Sequence, residues 1–109
     1  MRLQVTGFDP AGDAVAAREV VTVLKALSHT GRLQILCHLL GGEMNVGALS
    51  EALAEPQAAV SQQLMRLRSE GFVRARREGK HVLYGFADGR VAAVIAALRA
   101  AYCAGAAGA

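Results

Sequence analysis

At 109 residues the chain has the size of one domain, and a chain this short hides its apolar surface better when a second copy covers part of it. Hydrophobic residues make up 53%, much of it alanine, but no apolar run approaches the roughly 18 residues a membrane-spanning helix needs. The net charge of +3 is small but uneven: residues 61–81 hold six Lys or Arg against two Glu, while residues 1–60 hold four against six acids.

The opening MRLQVTGFDPAGD has neither the apolar core nor the cleavage pattern of a signal peptide, so a cytoplasmic location is expected. Asp13 can cap a first helix running to about Leu27, with Val20, Val23, Leu24 and Leu27 at helical spacing. Ser28-His29-Thr30 offers capping groups for a second helix, Arg32 to Leu40, striped by Leu33, Leu36 and Leu40 and stopped by Gly41-Gly42. Asn45 caps a short third helix through Leu53, with Val46, Leu49 and Leu53 facing inward. Pro56 suits the first turn of a fourth helix, which runs to about Glu70 and stops at Gly71. Two stretches of strand character follow, Phe72 to Arg76 and His81 to Phe86, joined through Arg77-Glu78-Gly79-Lys80. A last helix is expected from about Arg90 to Cys103, with flexible ends at residues 1–12 and 104–109. No linker divides the chain, so residues 1–109 read as a single domain.

Helix, helix, helix, helix, hairpin, helix, with a basic hairpin, is the order of a winged helix-turn-helix: mainly α with a β-hairpin wing. The fourth helix supports this order. At about 100° per residue, Val60, Leu64 and Leu67 share one face. Ala58, Ser61, Gln62, Met65, Arg66 and Ser69 fall roughly opposite. Small and amide side chains can enter a major groove, and arginines can hold the backbone. The recognition-helix candidates are Gln57, Ala58, Ser61, Gln62, Gln63, Arg66 and Arg68. The wing candidates are Arg74, Arg76, Arg77, Lys80 and His81, which can reach phosphates or the minor groove. A merely solvated basic surface would carry the same charge; the hairpin and the two-faced helix favour double-stranded DNA as the partner.

Three ordered motifs resemble the ArsR family of bacterial repressors: Ala26-Leu27-Ser28-His29-Thr30-Gly31-Arg32-Leu33-Gln34-Ile35-Leu36, then Val60-Ser61-Gln62-Gln63-Leu64-Met65-Arg66-Leu67-Arg68 with Gly71-Phe72-Val73, and Arg76-Arg77-Glu78-Gly79-Lys80 with Tyr84. The resemblance spans roughly residues 15–103. It implies a homodimer joined through the first and last helices and bound to a palindromic operator, with no catalytic activity. The chain departs from the family's pattern in places: Thr30-Gly31 replaces a usual Pro-Thr pair, Pro56 a common serine, and Gln63 a frequent histidine.

Metal sensing is not expected. The family's metal site on the third helix uses clustered cysteines, and Glu43-Met44-Asn45-Val46-Gly47-Ala48-Leu49 has none. Its site on the last helix uses Asp and His, and after Asp88 the run from Arg90 to Leu98 has neither His nor Glu. No cofactor is expected either. What remains is Cys37, beside the apolar stripe of the second helix, and Cys103, at the end of the last. A buried structural role is open for Cys37; a cytosolic pair otherwise suggests redox chemistry. Their placement resembles the two-thiol subgroup of the family that responds to sulfide and persulfide. That resemblance implies a sulfur bridge between Cys37 and Cys103 that releases DNA, with reactive sulfur species as inducer. A metal- or oxidant-responsive relative, a sulfur-carrying thiol enzyme and a dimeric module that binds no DNA are the alternatives.

Overall fold

Three of the five α-helices among the described residues begin at a side chain that accepts from the first unpaired N–H groups, and the other two follow an extended residue that gives no such bond. The computed structural model describes residues 9–104, with side chains described as far as Tyr102. Among these residues α1 spans Ala14–Leu27, α2 Thr30–Leu39, α3 Val46–Leu53, α4 Gln57–Ser69, and α5 Gly89–Arg99. Strands β1 (Val73–Glu78) and β2 (His81–Phe86) lie between α4 and α5, and α5 runs on into a π-helical turn at Ala100–Ala104. The expected flexible ends fall largely outside the described residues; residues 9–12 form a turn closed by the Gly12 N–H on the Asp9 carbonyl, 3.0 Å.

Asp13 caps α1 by accepting from the N–H groups of Val15 and Ala16. Asn45 caps α3 by accepting from Ala48 N–H at 2.7 Å. Asp88 does the same for α5 through Arg90 N–H. Helix α2 starts at Thr30, two residues before the expected Arg32. Ser28 does not cap it: its hydroxyl donates back to the Lys25 carbonyl at 2.7 Å and finishes α1. His29, extended at φ −137°, precedes α2 instead, without a side-chain cap. Helix α4 closes on Gly71 (φ +83°), where Phe72 N–H bonds Leu67 O and Gly71 N–H bonds Arg68 O. That paired closure satisfies carbonyls that the last turn would leave open, and only glycine enters this backbone region without strain.

The hairpin is longer and tighter than expected. Arg77 and Glu78 pair with Val82 and His81, so only Gly79-Lys80 forms the loop, with Gly79 at φ +62°. A glycine first in a two-residue loop matches the twist of the flanking strands. The loop between α2 and α3 adds an isolated bridge to β2: Met44 and Tyr84 exchange both backbone hydrogen bonds, at 3.1 and 2.8 Å. This anchors β2 to the body of the domain.

Leu36, Leu49, Leu64, Leu67 and Ile95 are completely buried and join four helices into one core. On α4 the buried residues are Val60, Leu64 and Leu67, the face read from the sequence. On α2 they are Ile35, Leu36 and Leu39, whereas Leu33 and Leu40 are only half-buried, so the inward face is rotated from the expected one. On α3 only Leu49 is fully buried. On α1 Val20 and Leu24 are exposed; Ala16, Ala26 and Leu27 make its buried contacts.

Candidate nucleic-acid interface

Helices α2, α3 and α4 pack on one another and leave the outer side of α4 uncovered. Gln57, Ala58, Gln62, Arg66 and Arg68 are exposed there, and Ser61 is half-buried among them. Met65, on the same outer side, is 69% exposed. Gln63 departs from this group. Its amide Nε2 lies 3.5 Å from His29 Nε2, and both line a small cleft of about 230 Å³ between the start of α2 and α4. It braces α4 against α2 in this conformation.

The wing divides its cations into two sets. Arg74 and Arg76 lie on one face of β1, and both bind Glu43: Arg74 Nη1 reaches Glu43 Oε2 at 2.7 Å, and Arg76 Nη2 reaches Oε1 at 2.7 Å. Arg76 also meets Glu78 at 3.4 Å. The Arg76 guanidinium, followed by that of Arg74, holds the Glu43 carboxyl below its ordinary range. Glu43 lies far from the basic segment in the sequence, and only the folded hairpin brings the two together. Arg77 and Lys80 are exposed at the tip, and neither makes an ion pair with another described residue. The same holds for Arg66 and Arg68. His81 is exposed, its Nδ1 3.4 Å from Asn45 Nδ2. Arg66 and Arg68 in the second half of α4, and Arg77 and Lys80 of the hairpin, are thus exposed cations without an ion pair among the described residues.

Two other features lie away from this surface. Cys37 sits on α2, half-buried against the core, and α2 packs on α5. Cys103 falls in the π-helical continuation of α5, and its side chain lies outside the described residues. Val20, Val21 and Leu24 of α1, with Val94 of α5, leave an apolar face exposed, Leu24 at 52%. Between these two helices runs a groove of about 630 Å³ lined by Val20, Val23, Leu24, Phe72, Val91 and Val94 among others. Among the described residues no group of three His, Cys, Asp or Glu side chains is arranged to hold a metal ion, and no helix is long and apolar enough to cross a membrane.

Comparison with known proteins agrees with this architecture. Residues 29–75 match the family described as bacterial regulatory protein, arsR family. The chain is 44% identical over 88 residues to a biofilm growth-associated repressor of Agrobacterium fabrum, covering 81% of this chain and 75% of that protein. It is likewise 44% identical over 85 residues to the transcriptional activator HlyU of Vibrio cholerae, covering 78% and 79%. The structure of reduced HlyU superposes with a TM-score of 0.78 at 41% identity, over 83% of this chain and 95% of that one. The homodimeric winged helix-turn-helix domain of Mb0332 from Mycobacterium bovis gives a TM-score of 0.69 at 35% identity, over 93% and 89%. The chain belongs to the arsR family of bacterial regulatory proteins, and it is a winged helix-turn-helix, DNA-binding regulator of transcription.

Proposed function

We propose that this regulator is a homodimeric repressor that releases palindromic operator DNA when reactive sulfur bridges Cys37 to Cys103. The observation that carries the reading is the position of Cys37: half-buried on α2, the helix that packs on α5, whose continuation carries Cys103. A bridge there would tie the helix behind the DNA-reading unit to the last helix of the chain. The exposed apolar face of α1 and α5 supports a dimer through those helices, as does the homodimer formed by the Mycobacterium bovis relative. The relative named as a repressor, and the relative whose structure is described as reduced, support repression and a redox signal.

In this reading Gln57, Ala58, Ser61 and Gln62 face base edges, Gln63 steadies α4 from the side of α2, and Arg66, Arg68, Arg77, Lys80 and His81 hold phosphates. Two protomers place two copies of α4 about one helical turn of DNA apart, roughly 34 Å. A bridge that shifts α5 against α2 alters that spacing, and a coupling of about 1–3 kcal/mol changes operator affinity about 5- to 150-fold. The chemistry balances with persulfide as both sulfur donor and oxidant. Each thiolate takes a sulfane sulfur and releases a thiol. The two resulting persulfides then join as a four-sulfur bridge, while a third persulfide molecule is reduced to thiol and hydrogen sulfide. A direct disulfide needs the two Cα atoms within about 7 Å; longer sulfur chains relax that limit and favour persulfide over peroxide.

Intact-protein mass spectrometry tests this. The reduced protein is exposed separately to a persulfide donor and to peroxide. A product with two added sulfurs and two fewer hydrogens, absent in Cys37→Ser and Cys103→Ser, is expected with the persulfide donor. An unlinked pair under both reagents overturns the redox reading and leaves the family assignment standing.

A further inference from the structure

The wing carries an internal anion, Glu43, that is bound to two of its arginines. In the hairpin register Arg74 pairs with Gly85 and Arg76 with Leu83, so both arginines project from the same face of the ladder. Glu43 stands over that face, in the loop between α2 and α3. Its place is fixed by the adjacent Met44, locked to Tyr84 by two backbone hydrogen bonds. Both carboxylate oxygens are used: Oε2 accepts from Arg74 Nη1 at 2.7 Å, and Oε1 accepts from Arg76 Nε at 2.9 Å and lies 2.7 Å from its Nη2. Gly85, without a side chain, leaves the space that Glu43 fills.

The clamp is built but accessible. Glu43 is 22% exposed, while Arg74 and Arg76 are 53% and 46% exposed, so the guanidinium groups can exchange one anion for another. Ion pairs with such exposure are weak against a competing phosphate. Arg77 and Lys80, further along the hairpin, have no such internal partner among the described residues. The wing's positive field is therefore graded, neutralised beside the body and open at the tip.

We propose that Glu43 withholds Arg74 and Arg76 from the DNA backbone, and so sets how much of the binding is sequence-independent. This rests on the DNA-binding role of the family. Each phosphate that a side chain neutralises contributes about 0.9 to the slope of log affinity against log salt, whatever the sequence. Holding back two cations per protomer lowers backbone affinity without touching the base-reading face of α4. Glu43 is thus a positioning residue that favours specificity over strength.

The test is the salt dependence of binding to a short duplex of mixed sequence, measured by fluorescence anisotropy with the full chain. Glu43→Gln keeps the shape and removes the charge. Its slope is expected to steepen by up to about 1.8 per protomer, with tighter binding at low salt. That gain should vanish in the triple variant Glu43→Gln, Arg74→Gln, Arg76→Gln. A slope equal to wild type, or a gain that survives loss of both arginines, overturns the proposal. Should Glu43→Gln fail to fold, Glu43→Asp gives the same reading, since it keeps the charge but loses the reach to both arginines; a slope unchanged there also overturns it. Wild-type protein whose binding ignores salt would instead count against DNA binding itself, which separates the two failures.

Discussion

Gly85 lies so close to Glu43 that a Cβ added to the glycine would stand 3.1 Å from Glu43 Cγ and 3.5 Å from its Oε2. The glycine is there for space: its backbone is not in the left-handed region, unlike Gly71 and Gly79. It sits across the ladder from Arg74, so the gap beside it is the seat of the carboxylate that both arginines use. Gly85→Ala keeps every charge but crowds this seat. Overfilling a packed site typically costs about 1–3 kcal/mol, and the lower end is expected because Glu43 borders solvent. Thermal unfolding should show a fall of a few degrees, together with a steeper salt slope for DNA in the direction of Glu43→Gln. An unchanged melting temperature and slope would show that the carboxylate does not need this gap.

Acid should loosen the same contact. Glu43 is held below its ordinary value of 4.5 by Arg76 and Arg74, and Asp88 below 3.8 by its side-chain and backbone hydrogen bonds with Arg90. A carboxylate whose pKa is depressed on folding lends stability that is fully present above its unfolded value and is lost as the pH falls through the folded value. The melting temperature should therefore be level above about pH 5 on account of these groups and decline below pH 4.5. Glu43→Gln should flatten part of that decline and leave the part due to Asp88. A variant whose acid profile matches wild type would mean that Glu43 is not favoured as a carboxylate by folding.

Parts of this arrangement are legible in the chain and parts are not, for reasons that differ by element. The inward face of α4 could be read because Val60, Leu64 and Leu67 recur at helical spacing among polar residues, and all three are buried. Helix α2 has apolar residues on most sides, so Leu33 and Leu40 competed on equal terms with Ile35 and Leu39, and only packing decided among them. Arg77 and Glu78 have turn-like composition, yet pairing with Val82 and His81 draws them into β1. The Glu43 clamp joins residues 31 and 33 positions apart, and no local pattern announces such a contact. The exposed stripe on α1 was visible as spacing, but spacing alone does not say whether Val20 and Leu24 meet their own core or a second copy.

The division between reading and holding DNA can be separated by substitution. Gln62 is exposed on the outer side of α4, where its amide can donate to and accept from one adenine edge. Arg77 and Lys80 stand at the hairpin tip with no acid to neutralise them among the described residues. Gln62→Ala removes a base contact and no charge. It should weaken binding to a selected operator by about 1–3 kcal/mol, leave binding to a mixed-sequence duplex unchanged, and keep the salt slope. Arg77→Gln and Lys80→Gln should weaken both duplexes alike, each reducing the slope by about 0.9. Selection of a preferred duplex from a random pool, followed by titration of each variant at several salt concentrations, gives both quantities. If Gln62→Ala lowers affinity for both duplexes equally, α4 does not read bases at that position. If the tip variants leave the slope intact, the wing does not touch the phosphates, and the salt dependence must arise from Arg66 and Arg68 on α4.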